Sequence, residues 1–417
     1  MTELKTLESV LETTREGIFL ARVNTPAANA DSNEHPLFFP RKKLRMTKVY
    51  SGNWEPHSWF IQDRLNERAT HLKHPTQNSR EGLTSGFRSA IVKNPDNTYT
   101  KLKGVSLKPT IREESGKNLL TKTVTNIKGL CGPSEAYKEL TTLSLLNCMG
   151  SDLIAPIIPD FIEIYRFYNN TPKLKDFLQE FNKPQIKIKY KEIQEGKFKK
   201  LIKELAEVGR ELKKHSYGKN DYFVSGVKIK ADTRLDEAIY NLTKKPLAPG
   251  LAEKRDETLT YLFFRAGIMH GMLNTHGYSW SYDLINSNAH LGNFLLHSRK
   301  GALDAGICDL GSATHIDEYP DADKFYRFAM QEVDDFQYEL DKTSGLTVQK
   351  SYRFFPNKLK QDCLDAFKTG YAIIIMDEQK RTGDLLMHYS PSRIVAPKNA
   401  VIPVEEFKDF LKELKVA

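Results

Sequence analysis

Residues 286–313 read NSNAHLGNFLLHSRKGALDAGICDLGSA, and the fold turns on how this stretch is read. Two short apolar runs, FLL (294–296) and AGIC (305–308), flank HSRKGALD, which carries a glycine and several charges. That is the pattern of a β-hairpin. A hairpin brings its two ends together, so Asn293, just before the first strand, and Asp309, just after the second, face each other at one edge. An amide oxygen beside a carboxylate is a hard-oxygen donor set suited to Mg²⁺ or Mn²⁺. The plain alternative is a solvated hairpin with ordinary polar ends.

Working outward, the chain has 417 residues, 28% charged and 40% hydrophobic, which is ordinary for a soluble globular protein. That length accommodates one large core or two to three small ones. No apolar run is long enough to span a bilayer, and the opening MTELKTLESVLETTREGIFLA is amphipathic and charged throughout, unlike a signal peptide. The cysteines Cys131, Cys148, Cys308 and Cys363 lack CxxC spacing, so neither zinc nor a disulfide framework is expected and a reducing, cytoplasmic setting fits. The net charge of +9 permits an acidic partner. Much of it is concentrated in Lys187–Lys214, a basic helical pattern without the aromatic interleaving that stacks bases. A solvated helix face is the favoured reading there, with nucleic-acid binding as the alternative.

The sequence divides into four expected regions. Residues 1–78 form an N-terminal arm, with a helix at its start and an irregular continuation. Residues 79–170 form a small β-rich lobe. There EGLTSG supplies a glycine turn (Gly82, Ser85, Gly86), FRSAIVK and YTKLKGV supply strands, GPSEAYKELTTLSLLNCMG supplies a helix, and LIAPIIPDFIEIYRFY reads as a buried strand pair. Residues 171–340 form a larger helical lobe with a Lys-rich, mostly helical insertion. It includes the helix RDETLTYLFFRAGIMHGMLNTHG, closed by Gly277, and then the hairpin. Residues 341–417 are a helical extension with a proline-broken tail.

Within this order, a glycine-bearing turn between strands lets backbone N–H groups approach phosphates. Lys103 lies on the next strand, where an ammonium reaches phosphate oxygens. Glu139 on the following helix is placed to pair with it, with Glu135 one turn earlier as a rival. Taken singly, Lys103 reads more readily as a surface lysine and Glu139 as a solvent-facing helix residue. The order Gly-turn, Lys, Glu, Asn, Asp in one chain shifts the balance towards a nucleotide site. His270, among Ala, Ile, Met and Leu, reads as a core residue.

Over residues 80–340 these features resemble the protein-kinase-like superfamily. CDLGSA (308–313) looks like that family's DFG segment, with Leu310 in place of Phe. NSNAHLGNFLL is similar to the Asp-x-His-x-x-Asn catalytic loop of HipA-type and aminoglycoside-phosphotransferase-type kinases, with His290 and Asn293 matching. LKG (102–104), YKELTTLSLLNCMG and RAGIMHGMLNT resemble the selenoprotein-O type of pseudokinase, which transfers AMP. The resemblance implies a bilobal α+β fold. It further implies ATP as substrate, Gly82, Ser85, Gly86, Lys103 and Glu139 at the nucleotide, and Asn293 with Asp309 on Mg²⁺ or Mn²⁺. The expected activity is phosphorylation of a hydroxyl, on a protein acceptor, with AMP transfer or a silent nucleotide-binding or scaffolding module as alternatives.

One departure bears on mechanism. Where those kinases carry the catalytic Asp, this chain has Asn288, and an amide cannot accept a hydroxyl proton. Asp283, in SYDLIN, or His290 could serve as base. A third option is that no strong base is used, since phosphoryl transfer rests mainly on positioning and charge stabilisation.

Overall fold

The computed structural model describes residues 6–22, 46–51, 60–62, 79–84, 89–93, 99–103, 133–148, 157–166, 186–189, 203, 206, 210, 221–229, 233–280, 289–346, 355–383 and 388–416. The protein is of mixed α+β class, and its described residues fall in two compact units. Among them, no helix is long and apolar enough to cross a membrane.

The first unit, within residues 40–149 and 157–230, is built on one antiparallel sheet. Its strands are β1 (Met46–Ser51), β2 (Phe60–Gln62), β3 (Ser79–Thr84), β4 (Ser89–Lys93), β5 (Tyr99–Lys103), β6 (Ile157–Arg166), β7 (Ile186–Lys189) and β8 (Asp221–Ile229). The spatial order is β2-β1-β3-β4-β5-β8-β6-β7. Helix α2 (Pro133–Cys148) packs on β6 and β8. It opens at Pro133, whose fixed φ and missing N–H suit the first helical turn.

Several boundaries differ from the sequence reading. Residues 46–51 and 60–62 contribute β1 and β2 to the sheet, so the arm does not run unbroken to residue 78. The stretch LIAPIIPDFIEIYRFY yields one long strand, β6, not a pair. Pro159 has no N–H for the ladder, and the register slips between Pro159 and Phe161 without ending the strand. In the Lys-rich region, IKIK (186–189) is a strand with alternating apolar residues, and DYFVSGVKI (221–229) is a strand rich in aromatic and β-branched residues. Lys203, Ala206 and Arg210 are helical and exposed, which matches the solvated face expected for the basic stretch.

The second unit holds α1 (Leu7–Arg22) and the described residues from 233 onward. These form β9 (Thr233–Arg234), α3 (Leu235–Thr243), α4 (Pro249–Thr275), β10 (Tyr278–Ser279), β11 (Phe294–Arg299), β12 (Ala302–Ile307), β13 (Thr314–His315), α5 (Ala322–Leu346), α6 (Asn357–Thr382) and α7 (Val404–Val416). Helix α4 is buried on nearly every face from Thr258 to Asn274, as its all-round apolar sequence requires. Its main partner is α6. A Cβ on Gly267 would stand 2.0 Å from the Phe367 carbonyl oxygen, and one on Gly370 would stand 2.2 Å from that of Phe264. The two backbones therefore touch, and only glycine fits at the crossing. Phe336 of α5 stacks on Phe367 at 3.9 Å between centroids.

Residues 341–417 are thus not an appendage. Helix α6 forms the centre of the unit, and the tail closes the hairpin edge through Leu303 N–H to the Ile402 carbonyl and Val404 N–H to the Gly301 carbonyl, both 2.8 Å.

Candidate nucleotide and metal site

In the sheet unit, β5 is a central strand, with Lys103 opposite Ser89 on one side and Ser225 on the other. Alternation puts Leu102 on one face and Lys101 with Lys103 on the other, and all three are buried. Lys103 Nζ lies 2.9 Å from Glu139 Oε2 and 3.0 Å from Glu135 Oε1. Lys103 and Glu139 are each 3% exposed and Glu135 24%. Residues four apart share one helix face, which is why the expected partner and its rival both bind the same ammonium. Lys103 is not a surface lysine and Glu139 is not solvent-facing. Held between two carboxylates, the ammonium has its direction fixed.

Gly82 does not lie in a turn. It sits inside β3, paired with Thr47 of β1 and Val92 of β4, because β1 extends the ladder along the far side of β3. Ser85 and Gly86 fall outside the described residues, as do Asp283 and Asn288.

In the helical unit, β11 and β12 form the expected hairpin, from Phe294↔Ile307 to Arg299↔Ala302. Its two-residue turn has φ of 49° at Lys300 and 78° at Gly301, the left-handed pair of a type I′ turn. Beyond the last rung the Cys308 N–H donates to the Asn293 carbonyl at 2.8 Å, so Asn293 and Asp309 flank one end of the ladder. Asn293 is buried and closes a single 3₁₀ turn, Leu291–Asn293, in which its N–H donates to the His290 carbonyl at 2.9 Å. His290 is half-buried at the start of that turn. Asp309 has φ of 66°, a left-handed conformation that a non-glycine residue adopts at a cost and that clusters at functional positions.

The hairpin is anchored to α4 by a buried charge cluster that the sequence did not reveal. Arg265 donates to both oxygens of Asp304, through Nε at 2.9 Å and Nη2 at 3.1 Å, and Arg299 Nε lies 3.1 Å from Asp304 Oδ2. Tyr261 Oη donates to the Leu303 carbonyl at 2.7 Å. Burial alone would raise the Asp304 carboxyl, but Arg265 and Arg299 override it and hold it well below the usual carboxylate range. His297, directly across the hairpin from Asp304, is pushed down to about 4, first by burial and then by Arg299. These charges set the hairpin's position, and with it the end that carries Asn293 and Asp309.

Arg234 is a second residue that sequence reasoning missed. On the short strand β9 it pairs with Leu295, and its Nη1 lies 3.3 Å from where a Cβ on Gly292 would be. Burial pulls its pKa down, but the neighbouring Cys308, Asp236, Glu237 and Asp309 more than offset this and the net direction is up. No local pattern marks it, since a two-residue strand pairing across the fold leaves no periodicity. His270, read as core, is fully buried, with its Nε2 3.3 Å from Glu332 Oε2.

Among the described residues, no three His, Cys, Asp or Glu side chains converge as a complete metal cage. An Asn–Asp pair suits the way Mg²⁺ is commonly held, by one or two protein oxygens with water and substrate phosphates completing the shell. Against protein-family models and curated proteins, the chain matches none.

Proposed function

We propose that this protein is an ATP- and Mg²⁺- or Mn²⁺-dependent phosphotransferase of bilobal, protein-kinase-like organisation, acting on a hydroxyl of a protein acceptor. The observation that carries the reading is the buried pairing of Lys103 with Glu139, a strand lysine locked by a helix glutamate. A lysine aimed and held out of bulk water is suited to binding α- and β-phosphate oxygens. The hairpin adds support, because it sets Asn293 and Asp309 at the same end of one ladder and holds Asp309 in a costly conformation.

In this reading Lys103 neutralises phosphate charge, and Glu139, with Glu135, keeps the ammonium in place. Asn293 and Asp309 supply oxygens to the cation, which when bound would neutralise charge on the transferring phosphoryl group. Gly82 is not part of the phosphate loop, whose contribution falls to Ser85 and Gly86. Asp283 or Asn288 is assigned to the acceptor hydroxyl. Asn288 cannot take its proton, so Asp283 or His290 is the base, or the loose transition state proceeds on positioning and charge alone.

The test is transfer from ATP labelled at the α- or γ-phosphate, with Mg²⁺ and with Mn²⁺, beside an Asp309→Ala variant. Label from γ alone, lost in the variant, supports the phosphotransferase. Label from α points to AMP transfer, the alternative that the selenoprotein-O-like motifs support and Asn288 leaves room for. Absence of both labels with intact ATP binding points to a silent nucleotide-binding module.

A further inference from the structure

Trp280 plays no part in the roles assigned above, yet each of its polar groups is engaged. Its backbone N–H donates to Glu332 Oε2 at 3.2 Å, and its carbonyl accepts from Ser312 Oγ at 3.2 Å. Its indole Nε1–H donates to the Asp309 carbonyl at 3.1 Å. The ring packs edge-on against Phe294, the neighbour of Asn293, with centroids 5.1 Å apart, and against His270 at 5.6 Å. Trp280 and Glu332 are both 0% exposed. A carboxylate buried that deeply is tolerated only where its oxygens are hydrogen-bonded, and Oε2 meets both the Trp280 N–H and the His270 ring.

Two of these bonds reach one short turn. Asp309 and Ser312 both belong to the turn 308–313, which the Ala313 N–H closes onto the Leu310 carbonyl at 3.1 Å. The Asp309 carbonyl direction follows from its backbone angles. Relaxing the positive φ would swing that oxygen off the indole, so the indole bond and the left-handed conformation belong to the same state. We infer that Trp280, held by Glu332, is a positioning residue: it staples the turn in the conformation that presents the Asp309 carboxylate to the cation. This rests on the reading of Asp309 as a metal ligand.

Trp280→Phe keeps an aromatic ring and removes the indole donor, and Ser312→Ala removes the second bond should the first variant fold poorly. Loss of one such bond corresponds to about a fivefold to tenfold change. The Mg²⁺ concentration giving half-maximal ATP binding is expected to rise by that factor in Trp280→Phe, and in the same direction in Ser312→Ala. Hydrogen exchange is expected to accelerate in peptides spanning 308–314. Phe407→Leu, a core change on α7, controls for general loss of stability and is expected to alter neither readout. A Trp280→Phe protein with wild-type Mg²⁺ dependence overturns the inference, as does a Phe407→Leu protein that shifts equally. Failure of the parent reading looks different: the wild-type protein then binds ATP without any Mg²⁺ dependence, or not at all, and the positioning role falls with it.

Discussion

Replacing Lys103 with methionine removes the one positive charge between two carboxylates while nearly preserving the side chain's volume. The pair with Glu139 is 2.9 Å long with both partners 3% exposed. At an effective dielectric of about 20, charges that close attract by about 6 kcal/mol, most of which offsets the cost of removing them from water. Breaking such a pair is more costly than never forming it, because a carboxylate stays buried without its counter-charge. Lys103→Met is expected to lower the unfolding free energy by about 3–5 kcal/mol, measured by urea denaturation. Adding Glu139→Gln removes the stranded charge, and Glu135, at 24% exposure, retains access to water. The double variant is expected to recover more than half of the lost stability while binding ATP at least tenfold more weakly than wild type. Two results refute this reasoning. One is a destabilisation by Lys103→Met below about 1 kcal/mol, which would mean that the pair is not desolvated. The other is wild-type ATP affinity in the refolded double variant, which would remove Lys103 from the phosphates.

Other outcomes follow from the helical unit. Because the folded pKa of His297 is lowered from 6.5 to about 4, the unfolded chain binds a proton through that window that the folded chain does not. Stability therefore falls as pH drops from about 7 to about 4, by about 3 kcal/mol for this group. His297→Gln is expected to flatten that part of the pH profile, and an unchanged slope would rule His297 out as its source. Gly370→Ala would drive a Cβ to 2.2 Å from the Phe264 carbonyl oxygen, and is expected to cost about 3 kcal/mol or more through overpacking, read as a fall in Tm. Lys300→Asn, at a φ of 49°, is expected to stabilise the hairpin turn by several tenths of a kcal/mol, roughly, since asparagine tolerates the left-handed region better than lysine.

What the sequence disclosed, and what it hid, divides by the range of the interactions involved. The hairpin around Gly301 and the helix opening at Pro133 are local patterns, and both are found where the residues place them. The pairing of Lys103 with Glu139 was legible because a strand and the helix after it have few ways to pack. The rivalry of Glu135 and Glu139 dissolved for a geometric reason: four-residue spacing stacks both over one ammonium. Gly82 reads as a turn residue in the sequence but lies in a strand, because its ladder partner on β1 comes from residues 46–51, a stretch with no strand signal strong enough to stand against its proline- and asparagine-rich surroundings. In the Lys-rich region the signal was present, in the alternation of IKIK, but composition outweighed it. Arg234, Trp280, Glu332 and the Arg265–Asp304–Arg299 cluster owe their places to contacts between segments remote in sequence. No spacing within any one segment encodes them.

The most direct test of the central claim is calorimetric titration of ATP into the full-length protein with and without Mg²⁺, alongside Asp309→Ala. The account predicts that Mg²⁺ tightens ATP binding severalfold or more in the wild-type protein and that Asp309→Ala abolishes this gain. ATP binding that is absent, or that is equally strong with Mg²⁺ and without it, would contradict the assignment of Asn293 and Asp309 as the cation's ligands.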